Sequence, residues 1–214
     1  MSARSRKPRR SSLVAAGVAL LLALAAAQPA PAAIETEFIQ RAWPKQRVRE
    51  LEVGRYPVRW RQRASQAEGI FAGVRFTAPA PSGEVWERAA DYHGVGPTVP
   101  GVTGVRITDE SPGRQLVDVD AQVLWKTFTL HFEVEQEPPR VMRFRLVNPA
   151  LGEFRGVSVF EPAGTAAQAG TAVDLSTWLK PAHPVPARLL LAIERMALLQ
   201  GAKAFLVQFE PPAR

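Results

Sequence analysis

Residues 184–209 read PVPARLLLAIERMALLQGAKAFLVQF, and the fold turns on this stretch. Pro184 and Pro186 suit a helix start, where a missing N–H costs nothing. The interior is rich in Leu, Ala, Met, Glu, Arg and Lys, all good helix formers. One stripe holds Leu189, Ile193, Met196, Ala197, Ala204 and Val207, interrupted by Gln200. A second, on roughly the opposite side, holds Leu191, Leu198, Ala202 and Phe205. A helix that is apolar on two sides is expected to be covered on two sides. Glu194, Arg195 and Lys203 argue against a membrane span. The reading is a long helix gripped by the chain that precedes it.

That preceding chain offers mainly strands. Gly69–Thr77 reads as a strand, Glu84–Tyr92 as a helix broken by Gly94, Gly96 and Pro97, and Val102–Thr108 as a second strand. Clean alternation follows. Val117, Val119, Ala121 and Val123 alternate with Asp118, Asp120 and Gln122. Phe128, Leu130, Phe132 and Val134 alternate with polar residues, as do Met142, Phe144 and Leu146. Period-two alternation marks an antiparallel sheet with one buried face. Strands continue at Glu153–Phe160 and Thr171–Leu179, with Pro162–Gly170 between them as a hairpin loop. One-faced strands need a cover, and the terminal helix is the element large enough to supply it. The predicted class is α+β: a curved antiparallel sheet wrapped around a long C-terminal helix. A wedge between them, lined by apolar residues, suits an apolar ligand.

Upstream, residues 1–33 carry five basic residues and no acid, then an apolar run Leu13–Ala27, then small residues and prolines. This is the anatomy of a secretory signal peptide, with a cut expected between Ala27 and Ile34, and it places the protein outside the cell or in the periplasm. The net charge of +7 falls to +2 without that segment, a poor footprint for a nucleic-acid binder. Residues 34–66 form a basic arm that includes Arg55, Arg59, Arg61 and Arg63 with Trp43 and Trp60. It reads as a solvated extension, with peripheral contact to an anionic membrane as the alternative. The domain proper is expected over 67–210. The chain has no cysteine, which excludes disulfides and thiolate chemistry.

The histidines are His93, His131 and His183. His93 follows Asp91 and Tyr92 near the expected mouth of the wedge; general-base and solvated-loop readings both fit it. Asp118 and Asp120 share the wet face. No spacing suggests a metal site, and no serine sits in a nucleophile elbow. No catalytic residue, metal or cofactor is expected from the residues.

Phe76-Thr77-Ala78-Pro79-Ala80, Val85-Trp86, Asp91-Tyr92, Val99-Pro100-Gly101-Val102, Gly152-Glu153-Phe154-Arg155-Gly156 and the terminal helix together resemble the START-like (SRPBCC) helix-grip superfamily. The likeness is to its polyketide-cyclase and coenzyme-Q-binding branch, over about residues 68–209. Gly94–Thr98 depart from it, being glycine-rich where the family carries aromatic and acidic residues. The resemblance implies a helix-grip fold and a hydrophobic ligand such as a lipid, quinone, sterol or polyketide. The ligand is expected to meet Tyr92 and Val99 near the mouth. Phe128, Leu130, Phe132, Met142 and Phe144 are expected beneath it, with Val173 and Leu175 in the last strand. Leu189, Ile193 and Met196 are expected to face them from the helix. The readings that follow are an exported carrier, a cyclase or aromatase using the same cavity, or an interaction module without ligand.

Overall fold

In a computed structural model, the described residues are 33–42, 48–65, 67–99, 101–123, 126–148, 152–165 and 168–210. The expected signal peptide lies outside them, Ala33 excepted, as does Trp43 of the arm. Nine strands form one antiparallel sheet: β1 (Arg49–Val53), β2 (Tyr56–Ser65), β3 (Gly69–Ala78), β4 (Val102–Ser111), β5 (Arg114–Val123), β6 (Lys126–Glu137), β7 (Val141–Leu146), β8 (Gly152–Thr165) and β9 (Gln168–Pro181). Their order is β1-β2-β3-β9-β8-β7-β6-β5-β4, and the sheet is curved. Among the described residues four helices accompany it: α1 (Glu37–Arg41), α2 (Ser82–Ala90), α3 (Tyr92–Val95) and α4 (Ala187–Val207). A 3-10 turn, Gly96–Thr98, follows α3, so the glycine-rich stretch keeps a helical turn after Tyr92. The carboxylate of Asp91 accepts the Gly94 N–H at 2.9 Å and caps that turn.

The alternation of β5, β6 and β7 holds as expected. Val117 lies opposite Phe132, and Val134 opposite Phe144, on the face that α4 covers. Asp118, Asp120 and His131 lie on the other, convex face. There Arg106 pairs with Asp120 at 2.7 Å, and His131 Nδ1 lies 2.7 Å from Asp118. Hydrogen bonds from Thr129 and Arg106 hold the half-buried Asp120 carboxyl below its usual range.

Two expectations change. The basic arm is not an extension beside the domain: residues 49–65 are β1 and β2, and β2 pairs with β3 from Ser65↔Gly69 to Val58↔Phe76. The sheet therefore runs through the expected boundary at 67. Val58 and Trp60 face the core while Arg59, Arg61 and Arg63 face outward, where Arg59 pairs with Glu50, Arg61 with Asp174 and Arg63 with Glu68. The hairpin expected at Pro162–Gly170 is present, but the strands run further into it than expected. Pro162 pairs with Thr171 and Gly164 with Ala169, so β8 and β9 extend to a tight hairpin.

The convex face is itself partly covered. Ile34 and Ile39 are buried, and Ile39 packs on Phe71 of β3 and Trp178 of β9. Phe38 meets Trp178 edge to face at 5.2 Å. The Ile34 N–H donates to Glu135 at 3.0 Å. β3 thus has cover on both faces, which explains why eight of its ten residues are buried.

Helix α4 packs on β1, β2 and β3 through Leu198, Ala202, Phe205 and Leu206. Its C-terminal end is fastened by α2. Arg88 donates to the Gln208 carbonyl, pairs with Glu84 at 2.8 Å, and lies 4.3 Å from the centre of the Phe209 ring. A cation at a helix C-terminus satisfies carbonyls the helix cannot.

Candidate functional site

The concave face of the sheet is built in rows by strand register. One row runs Thr177, Gly156, Phe144, Val134, Gln115. The next runs Leu175, Ser158, Met142, Gln136. Phe132, Phe144 and Phe154 form a cluster with ring centres 5.9 to 6.5 Å apart. Gly156 makes room for it, because a Cβ there would overlap the Phe144 ring. Because α4 packs over β1–β3, these rings and their neighbours remain half-buried.

The expected lining residues separate into three groups. Phe128, Leu130, Phe132, Phe144 and Leu175 lie on the concave face and keep access to solvent; Phe128 is 37% exposed. Met142 and Val173 are buried and form its floor. Tyr92 reaches this floor from α3: its hydroxyl donates to the Met142 sulfur at 3.6 Å and accepts from Gln136 Nε2 at 2.8 Å. Burial pushes the Tyr92 phenol up to about 12, against the Gln136 hydrogen bond. Val99 is half-buried at the end of the 3-10 turn.

Leu189, Ile193 and Met196 do not face the sheet. They are 53%, 38% and 61% exposed, on the outer side of α4. Leu198, Ala202 and Phe205 turn inward instead, and Leu191, at the N-terminal end of the same stripe, is half-buried, so the second stripe, not the first, is the core stripe. The small side chain of Ala202 lets that side approach β3 closely. Met196 lines a hollow of about 480 Å³ on the helix flank, together with Gln62, Arg188, Leu191 and Arg195.

The inner stripe carries a carboxyl group that the apolar pattern passes over. Glu194 stands three residues after Leu191 and four before Leu198, on the same face. Its Oε2 lies 3.1 Å from Thr177 Oγ1, and Thr177 Oγ1 lies 3.2 Å from the Ala72 carbonyl. The hydroxyl has one proton and cannot serve both acceptors. When Thr177 donates to Ala72, Glu194 must be protonated to donate in turn to Thr177. Burial pushes the Glu194 carboxyl up to about 7, and the Thr177 hydrogen bond opposes this. Among the described residues Glu194 has no cationic partner. Glu194, Thr177, Gln136 and Phe154 are the site residues that sequence reasoning missed. A charge at core spacing between Leu191 and Leu198 was the available signal.

His93 is exposed on α3. Among the described residues no cluster of His, Asp and Glu could hold a metal ion, and no helix is long and apolar enough to cross a membrane.

The fold recurs among solved structures. A STAR-related lipid transfer protein from Xanthomonas axonopodis has a TM-score of 0.59 at 13% identity, covering 77% of this chain and 98% of its own. A START superfamily protein from Mycobacterium smegmatis gives 0.57 at 15% identity, over 65% of this chain and 96% of its own. The Zhui aromatase/cyclase of a Streptomyces species gives 0.54 at 22% identity, over 63% and 90%. At these identities the likeness establishes the START-like helix-grip fold and nothing finer. No curated protein matches the sequence. The model of the family described as polyketide cyclase / dehydrase and lipid transport matches residues 78–206, more than half of the chain, and the protein belongs to that family.

Proposed function

We propose that this protein is an exported carrier of a hydrophobic small molecule, held between the concave face of the sheet and α4. One observation carries the reading. Phe128, Leu130, Phe132, Phe144 and Phe154 are large apolar side chains on the concave face, yet none is fully buried. A filled core would bury them, since each fully buried ring contributes roughly 1.5–3 kcal/mol. An apolar ligand would complete that burial. Native mass spectrometry of the purified full chain, with lipid extraction, tests this. A co-purifying apolar molecule is the expected result; protein that is consistently empty, and that takes up no apolar dye, would refute it.

The export half of the proposal rests on the basic start, the short apolar run and the small-residue exit of residues 1–33. N-terminal sequencing of protein from the soluble exported fraction should find a start between Gln28 and Ile34. An intact Met1 or Ser2 there would count against it.

A further inference from the structure

Glu194 is a carboxyl group at the apolar helix–sheet interface, and its role is not explained by packing. Truncation to an aliphatic side chain would suit the neighbouring Leu191 and Leu198 better. Its partner, Thr177, sits in the row that continues through Gly156 to Phe144. The two polar groups therefore stand at the edge of the half-buried aromatic cluster. Arg188 and Arg195 point to the exposed flank of α4, and Arg61 lies on the convex face paired with Asp174. No described cation meets Glu194 where a ligand would lie.

We infer that Glu194 and Thr177 are the specificity-determining anchor for an uncharged apolar alcohol, and that they discriminate against apolar carboxylates. This rests on the carrier reading above. A ligand hydroxyl is both donor and acceptor, so it pairs with Glu194 in either protonation state: it donates to the carboxylate or accepts from the acid. An ionised fatty carboxylate has no proton to donate, and above about pH 7, where Glu194 is itself ionised, it meets Glu194 as a like charge. A ligand with no polar group leaves the carboxyl as it is, half-buried and held by one hydroxyl, and gains nothing from it.

The test uses two fluorescent probes of one chain length, dansyl-aminoundecanol and dansyl-aminoundecanoic acid, titrated into the full chain at about pH 9, where the acid and Glu194 are both ionised. The alcohol should bind at least about tenfold more tightly, the equivalent of one well-made polar contact. Glu194→Gln removes the charge but keeps the shape, and should cut the difference below about threefold, chiefly by admitting the acid. Thr177→Val, which keeps the β-branched shape, should weaken the alcohol alone and stands in if Glu194→Gln does not fold. Equal binding of both probes by the wild type overturns the inference and leaves the carrier reading intact. So does a preference that persists unchanged in whichever of the two variants folds. Binding of neither probe overturns both.

Discussion

The ring of Phe144 occupies the space that a side chain on Gly156 would need. The two residues are register partners on adjacent strands β7 and β8, and the glycine gives the aromatic cluster its shape. Gly156→Ala should push the ring outward into the groove. The ring is half-buried and free on one side, so the stability cost should be about 1 kcal/mol, at the low end for overpacking. Uptake of an apolar dye should fall much more. A variant that loses stability without losing dye uptake would show that the ring does not border the binding space.

The two stripes of α4 should respond oppositely to truncation. Leu198 is 8% exposed and belongs to the core; Leu198→Ala should cost about 2–5 kcal/mol. Ile193 is 38% exposed, and Ile193→Asn should change stability by no more than about 0.5 kcal/mol. Chemical denaturation of both variants measures the contrast; similar losses at the two positions would contradict the helix orientation.

Glu194 should make stability depend on pH. Its carboxyl ordinarily titrates near 4.5 and is pushed up to about 7 in the folded chain. The folded state therefore holds this proton more tightly than the unfolded state. The contribution is fully present below pH 4.5 and is lost as pH rises through about 7. The loss amounts to at most about 3 kcal/mol, less where water reaches the half-buried carboxyl. Thermal unfolding from pH 5 to pH 9 should show a falling Tm that Glu194→Gln flattens, with other groups held constant by the comparison. A Tm trend identical in the variant would remove Glu194 as its cause.

The N-terminal segment should act as a structural part of the sheet. Ile39 is fully buried against Phe71 and Trp178. Ile39→Ala should cost about 2–5 kcal/mol, although it lies far in sequence from the strands it covers. Trp178 should become more accessible to acrylamide quenching. Unchanged stability and quenching would mean that the segment is dispensable to the convex face.

The central meander could be read from sequence because each strand has one wet face. Asp118, Asp120 and His131 on one side, with Val117, Val119 and Phe132 on the other, leave no other arrangement. β1 and β2 were obscured by charge. Val58 and Trp60 do alternate with Arg59, Arg61 and Arg63, but a run of arginines reads as solvated unless its carboxylate partners are known, and Asp174 lies more than a hundred residues away. The helix itself was plain, but its rotation was not. Both stripes are comparably apolar, so hydrophobicity cannot choose between them. Close packing at Ala202 decides, and that depends on where β3 lies. The candidate site divides for the same reason: alternation fixes the face of a strand residue, whereas two equally apolar stripes leave the face of a helix residue open.

Strand β3 pairs with β2, its neighbour in sequence, on one edge and with β9 on the other. Every other pairing in the sheet joins consecutive strands, whereas Ala72 and Thr177, register partners in this one, are 105 residues apart. As the chain is made, the β1–β3 meander comes first and the β4–β9 meander later. Until they join, β3 presents Ile70, Phe71, Val74 and Phe76 on an open edge, a template for pairing with another chain. Closing a loop of this length is the slow, non-local event in such a topology. The join between β3 and β9 is therefore where folding speed and aggregation compete, and α4, which follows β9 directly and packs on β3, arrives just in time to seal it.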